Sequence, residues 1–300
     1  MTIEQVHLSA GGPQVSRLAA GCMRLLDWGW DDIAVEAWVD ACVNVGITTF
    51  DHADIYGDYR ALEVFGRVLR RRPDLRRSIQ LISKAGIRLV SRRRQENRLK
   101  SYDTSQDYLI ASVHSQLAAL NVDHLDVFLL HRPDPLIDAD EVAGAFESLR
   151  RSGAVAHFGV SNFTPADFDL LASRTELVTN QVQHSLLHLD PMTDGTLADC
   201  QRRRIRPMFW SPLAGGELLL GDSQTAARTR LALDDIAREH GCHAATVAYA
   251  WLLREPSGGV PVVSSSRAAG LGDAVAALDL ALDRQEWFAL LAATSGAPVP

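Results

Sequence analysis

The sequence predicts a single (β/α)8 TIM barrel spanning 1–300, with an N-terminal β-hairpin ahead of the barrel and an extra C-terminal helix behind it. Three observations carry this reading. Strand-like and helix-like segments alternate about eight times in 300 residues, a count and length that suit one barrel. Three apolar segments each end on an ionisable residue: Ile47 to Phe50 runs into Asp51, Ile79 to Ser83 into Lys84, and Val127 to Leu130 into His131. Charge just past the C-terminal ends of successive parallel strands is where barrel enzymes carry their chemistry. The doubly wound alternative expects a GxGxxG turn after the first strand, and the chain has Gly21-Cys22-Met23-Arg24 there.

The elements follow in order. Val6 to Ser16, with Gly11-Gly12-Pro13 in its middle, reads as a hairpin placed to plug the bottom of the barrel. Leu18 to Cys22 is the first barrel strand. Asp31 or Asp32 caps a helix over about Ile33 to Val45, which Gly46 closes. The strand ending at Asp51 precedes a helix over Ala61 to Arg71, stopped by Pro73. The strand ending at Lys84 precedes the basic run Arg88 to Lys100, then a helix over Ser105 to Leu120. After the strand ending at His131, Val142, Phe146 and Leu149 share one helical face, and Gly153 ends that helix. Val155 to Val160 is a strand running into Ser161-Asn162, and Pro165 opens the next helix. Val178 to Val182 is a strand ending at Gln183, followed by a helix over Thr193 to Arg203. Pro207 to Trp210 is a strand ending at Ser211. Helices over Thr225 to Glu239 and Ala244 to Leu253 precede the last strand, Val260 to Val263. Helices near Leu271 to Leu278 and Arg284 to Ala293 finish the chain.

Composition narrows the function. Forty-seven per cent of the residues are hydrophobic, enough for a sizeable core. The net charge is -7 and no sustained basic stripe exists, so nucleic acid is not the expected partner. No apolar run approaches the ~20 residues of a membrane span. Met1-Thr2-Ile3-Glu4-Gln5 does not open a secretion signal, so a cytoplasmic protein is expected, as a monomer or weak homo-oligomer. Cys22, Cys42, Cys200 and Cys242 show no CxxC spacing; they read as reduced thiols and not as a zinc site. Arg92, Arg93, Arg94 and Arg98 make the run before Lys100 either a solvated loop or an anion-attracting cover. Only Lys84 and Lys100 are lysines; the other 28 of 30 basic residues are arginine. Lysine can be tuned by burial and neighbours where arginine stays charged, so Lys84 at a strand end stands out.

Strand parity places the ionisable residues together. Asp51 shares a face with Thr49, Lys84 with Ile82, and His131 with Leu129 and Val127. All three point inward, while His52 points the other way. The phenol Tyr56 follows in Asp51-His52-Ala53-Asp54-Ile55-Tyr56-Gly57. An acid, an amine, an imidazole and a phenol gathered at one barrel mouth suggest proton transfer.

With these segments in view, the chain resembles an aldo-keto reductase, most closely the bacterial YdhF-type branch. The resemblance rests on Gly46 to Gly57, Ile82-Ser83-Lys84, Leu129 to Asp134 and Phe158 to Phe163, extended by Asn180-Gln181-Val182 and Trp210 to Leu213. It implies a tetrad of Asp51, Tyr56, Lys84 and His131 that reduces aldehyde or ketone carbonyls, with a small carbonyl compound as substrate. The chemistry is consistent. A phenol of pKa ~10 is a weak acid near neutrality, and an adjacent ammonium lowers that pKa. Asp51 holds Lys84, Tyr56 donates the proton, and His131 orients the carbonyl oxygen. No side chain supplies a hydride, so a nicotinamide is needed.

The resemblance further implies NADP(H), bound extended across the barrel top, with NAD(H) as the alternative. It assigns Ser161, Asn162 and Gln183 to the carboxamide, Trp210 to stacking on the nicotinamide, and Ser211 and Leu213 to the pyrophosphate path. Ser264, Ser265, Ser266 and Arg267 would meet the adenosine phosphate, and Met23 and Arg24 complete the cofactor residues. Many relatives carry an arginine near position 270 for the 2′-phosphate and an asparagine near 274 for adenine. Here these are Gly270 and Ala274, with Arg267 as the compensating cation.

Other residues have blander readings. Asp54 reads as a loop or capping residue, and Asp123 and Asp126 as strand-flanking. His184 and His188 have metal-pair spacing, but Asp190-Pro191 argues for a loop. Trp28 and Trp30 are either substrate wall or packing, and Arg24 either meets the cofactor or pairs with Asp27. Two other functions fit the same barrel: a non-catalytic NADP(H)-sensing regulatory barrel, and a two-carboxylate hydrolase, which leaves Lys84 unexplained.

Overall fold

Residues 3–298 are described by the computed structural model. The chain begins with strands β1 (Gln5–His7) and β2 (Gln14–Ser16), an antiparallel pair. The barrel strands are then β3 (Ala19–Gly21), β4 (Thr49–Asp51) and β5 (Gln80–Ala85). A short ribbon of β6 (Ile87–Arg88) and β7 (Ser101–Tyr102) intervenes. The barrel continues with β8 (Leu125–Leu130), β9 (Val155–Ser161), β10 (Asn180–Gln183), β11 (Met208–Trp210) and β12 (Val260–Val263). These eight are parallel and close in the order β10-β11-β12-β3-β4-β5-β8-β9.

Side chains alternate between the two faces of each barrel strand. Ile82, Val127, Leu129, Met208, Val260 and Val262 pack inside, together with Val6, Leu8 and Val15 of the hairpin. The hairpin is bonded to the N-terminal ends of the strands: Ser16 N donates to Thr49 Oγ1 at 2.9 Å, and Arg206 N to Leu8 O at 2.7 Å. It closes the bottom of the barrel. Between the barrel and its helices, Phe50, Phe128 and Phe158 of the strands and Phe65, Phe146 and Trp251 of the helices are buried. Phe146 stacks on Phe158 with centroids 4.2 Å apart.

Local signals set the helix ends. Asp31 Oδ1 accepts from Ala34 N at 2.8 Å and starts the helix Asp32–Asn44. Thr164 and Asp167 form a capping box in front of Pro165, and Asp283 and Glu286 do the same for the last helix, Arg284–Ser295.

Two segments differ from the sequence expectation. The basic run is not an irregular loop throughout: its ends pair as β6 and β7, and Arg88 is fixed by Asn97 Oδ1 at 2.8 Å and Asp103 at 2.9 Å. The helix expected over Thr193 to Arg203 is split into Asp190–Thr193 and Thr196–Arg203. Gly195 separates them at φ 90°, a conformation that suits glycine, while Asp194 Oδ1 accepts from Thr196 N at 2.8 Å.

Candidate active site

The last residue of β4 and the fifth residue of β5 meet inside the barrel mouth. Lys84 Nζ lies 2.8 Å from both oxygens of Asp51, 2.8 Å from His52 O and 3.1 Å from Tyr56 Oη. The Lys84 side chain is only 1% exposed, so its charge is matched entirely by protein groups. Asp51 Oδ1 also accepts from Gln181 Nε2 at 2.8 Å. The Lys84 carbonyl accepts from Asp54 N at 3.1 Å and Gln116 Nε2 at 3.3 Å, which fixes the backbone behind the ammonium.

Tyr56 reaches the group because the chain turns sharply after β4. His52 N donates to Ile82 O at 2.8 Å and Tyr56 N to Ala53 O at 3.3 Å. Gly57 adopts φ 57°, and a Cβ there would sit 1.9 Å from Leu26 Cδ1, so both conformation and space call for glycine. His131 follows β8, its N–H bonded to Ala85 O at 2.8 Å. Its ring stands edge-on to Tyr56 with centroids 6.0 Å apart. The four residues of the expected tetrad are thus brought together. His52 points away and packs on Phe65, centroids 4.5 Å apart.

Burial governs the protonation states. Burial lowers the proton affinity of Lys84, but the Asp51 carboxylate and the Tyr56 oxygen outweigh it and lift the ammonium above its ordinary range. Tyr56 departs from the expectation of a lowered phenol. Burial pushes it up to about 12, ahead of the opposing pull of Lys84. Burial, then Lys84, Arg132 and Lys100, hold His131 well below the usual imidazole range. His52 is pushed down to about 3 by burial and Lys84.

A cavity of about 570 Å³ opens above these groups. Asp51, Tyr56 and His131 line it together with Ser161, Asn162, Gln181 and Trp210. Trp210 Nε1 donates to Asn162 Oδ1 at 3.0 Å, Asn162 Nδ2 to Ser161 Oγ at 2.7 Å, and Ser161 Oγ to Gln181 O at 2.8 Å. This chain of bonds fixes three expected cofactor residues in one wall. Met23, Arg24, Ser211, Leu213, Ser264, Ser265 and Arg267 line the same cavity.

The family model for the aldo/keto reductase family matches residues 17–293. The chain belongs to the aldo/keto reductase family. It is 42% identical to oxidoreductase YdhF of Escherichia coli over 99% of this chain and 100% of that protein. It is 43% identical to a 6-dehydroglucose reductase of Agrobacterium fabrum over 95% of this chain and 96% of that one. Its fold matches a crystal structure of the thermostable aldo-keto reductase Tm1743 with a TM-score of 0.80 at 24% identity, covering 97% of this chain and 100% of that one.

Within this aldo/keto reductase barrel, some expected residues sit elsewhere. Gln183 does not line the cavity; Gln181 does, two residues deeper on the same strand face. Ser266 is exposed and outside the lining, between Ser265 and Arg267, which are in it. Arg24 does not pair with Asp27; its Nη2 donates to Gly215 O at 2.8 Å across the cavity. Gly270 lines the cavity against Ser265 Oγ, and Ala274 is buried. Sequence reasoning also missed Lys100, Arg132 and Asp273, all of which line the cavity.

The remaining candidates have structural partners. Trp28 packs on Trp30 and Trp38, with centroids 4.6 and 5.3 Å away. Asp126 accepts from Leu81 N at 2.7 Å and Arg76 at 3.0 Å, flanking its strand. His184 Nδ1 is 3.1 Å from His188 O in a tight turn. Asp54 is buried, which a capping role does not require.

Proposed function

We propose that this protein reduces aldehyde or ketone carbonyls to alcohols with NADP(H), Tyr56 acting as the acid. The observation that carries the reading is the buried Lys84 ammonium, held between Asp51 and the Tyr56 hydroxyl, which themselves line a cavity of about 570 Å³. Ser161, Asn162 and Gln181 suit a carboxamide with donors and acceptors, and Trp210 supplies an aromatic surface beside them. Ser264, Ser265 and Arg267, after the last strand, suit a phosphate. Arg267 supports NADP(H); Gly270 and Ala274 offer no second cation there.

When bound, the reduced nicotinamide supplies the hydride to the carbonyl carbon. The neutral His131 imidazole donates a hydrogen bond to the carbonyl oxygen and orients it. Tyr56 transfers its hydroxyl proton to that oxygen, and Lys84 stabilises the phenolate left behind. Asp51 keeps Lys84 charged and in line, and Gln181 holds Asp51.

Tryptophan fluorescence quenching by NADPH and by NADH measures binding, and NADPH consumption with a panel of aldehydes and ketones measures turnover. Sugar-derived aldehydes belong in that panel, given the likeness to a 6-dehydroglucose reductase. Tyr56→Phe is expected to lower turnover by about 10²–10⁴-fold while NADPH affinity stays within a few-fold. A Tyr56→Phe protein that kept most of its rate would remove Tyr56 as the acid.

A further inference from the structure

Lys100 and Arg132 line the cavity beside His131, outside the network of the tetrad. Both bear on His131 closely enough to lower its proton affinity. Neither forms an ion pair among the described residues, whereas Arg88 and Arg93 of the same basic run find Asp103 and Glu63 at 2.9 and 3.6 Å. The Arg132 guanidinium lies over the Trp210 ring, 5.5 Å from its centroid. Of the carboxylates of the same cavity, Asp51 is paired with Lys84 at 2.8 Å, and Asp273 Oδ1 lies 2.7 Å from His243 Nδ1. Two cations without a carboxylate partner among the described residues therefore stand beside His131.

The two cations are carried on connections other than those that hold phosphate, although the Arg132 side chain reaches across to Trp210 at the end of β11. Lys100 lies on the connection after β5, and Arg132 on the connection after β8. In the closed strand order, β5 stands opposite β11 and β8 opposite β12. Phosphate groups in this fold are taken by the connections after the last two strands, here after β11 and β12.

We propose that the carbonyl substrate carries an oxyanion, such as a carboxylate, which Lys100 and Arg132 hold while the carbonyl oxygen meets Tyr56 and His131. This deepens the reductase reading and rests on it. A guanidinium presents paired donors to two carboxylate oxygens, and an ammonium adds a point charge. A positively charged cleft also concentrates anions at its mouth.

The test compares 4-formylbenzoate with its methyl ester, using the full-length protein at saturating NADPH. The kcat/KM ratio is expected to favour the carboxylate by about three- to ten-fold at low ionic strength, as two partly exposed ion pairs allow. That ratio is expected to shrink on adding salt, and to fall several-fold in Lys100→Gln and in Arg132→Gln. A ratio at or below one, or a ratio unmoved by salt and by both substitutions, overturns the proposal. Weakened NADPH quenching in these variants, in step with the ratio, assigns the cations to the cofactor and overturns it too, leaving the reductase reading intact. Absence of both quenching and turnover in the unmodified protein overturns the reductase reading, and this proposal with it.

Discussion

Asp54 is expected to make the protein less stable as the pH rises, and Asp54→Asn should abolish that loss. Its side chain lines a second cavity, of about 340 Å³, between the basic run and the helices behind the site. Oδ1 has no partner, Oδ2 receives only a 3.4 Å contact from Ser112 Oγ, and the residue is 8% exposed. Burial pushes the carboxyl up to about 7, against smaller opposing contributions from Ile55 N–H, Ser112, Arg94 and Lys84. In the unfolded chain an aspartate titrates near 3.9. A raised folded pKa means that the folded state binds the proton more tightly. The resulting stabilisation is fully present below about pH 4 and is lost as the pH climbs through about 7. Roughly three pKa units at 1.36 kcal/mol each give a loss on the order of 4 kcal/mol. Asparagine keeps the shape without the ionisation. The two proteins should melt alike near pH 4, and Asp54→Asn should melt several degrees higher near pH 8. Differential scanning fluorimetry across that range reads the gap. A gap that stays constant with pH would refute the argument from burial.

Three further outcomes are expected. Lys84→Met strands the Asp51 carboxylate with Gln181 as its side-chain partner; it should cost about 3–5 kcal/mol in urea unfolding and stop turnover. Gly66→Ala sets a Cβ 2.0 Å from Ala119 O, where the helices Ala61–Arg71 and Gln106–Leu120 touch, and should lower the unfolding free energy measured in urea by about 1–3 kcal/mol. With Tyr56 pushed up to about 12 and His131 held far below its usual range, the carbonyl reduction rate should show no inflection near pH 6.5. A clear acid limb there in a pH–rate profile would mean that His131 titrates as an ordinary imidazole.

The barrel was legible because its signals are local. Alternating apolar runs, Asp31 as a cap, Pro165 as a helix opener, and Gly46 and Gly153 as stops each act within a few residues. The tetrad was legible for a related reason: parity fixes which face a strand residue takes. Parity does not fix height, and there the reading slipped. Gln181 and Gln183 share a face, but the register of β10 against β9 sets Gln181 beside Ser161 and within reach of Asp51. The β6–β7 ribbon was hidden because two residues per strand leave no alternation to read. The break at Gly195 had a visible cue in Asp194-Gly195, a frequent turn pair. Lys100 carried only the signal of its rarity; its arrival at the cavity depends on how β7 returns along β6.

Two opposed effects at Tyr56 define what the proposed site does. Sequence adjacency reveals the charged partner but not the depth of enclosure, so the pull of Lys84 was foreseen and the stronger push of burial was not. With burial ahead, the hydroxyl keeps its proton at neutral pH, as a proton donor must. The ammonium 3.1 Å away then acts on the state that follows transfer, where it faces a phenolate without any group having to move. This needs a cation that does not discharge when enclosed, and Asp51 and Tyr56 hold Lys84 charged against its burial. It also needs a neutral His131, since a second positive charge beside Lys84 would weaken the ammonium's own hold on its proton. Burial and Lys84 together supply that neutrality. In the proposed reduction, the fixed cation and the neutral imidazole flank the protonated phenol, and the phenol's proton goes to the substrate oxygen while the ammonium stays to face the phenolate.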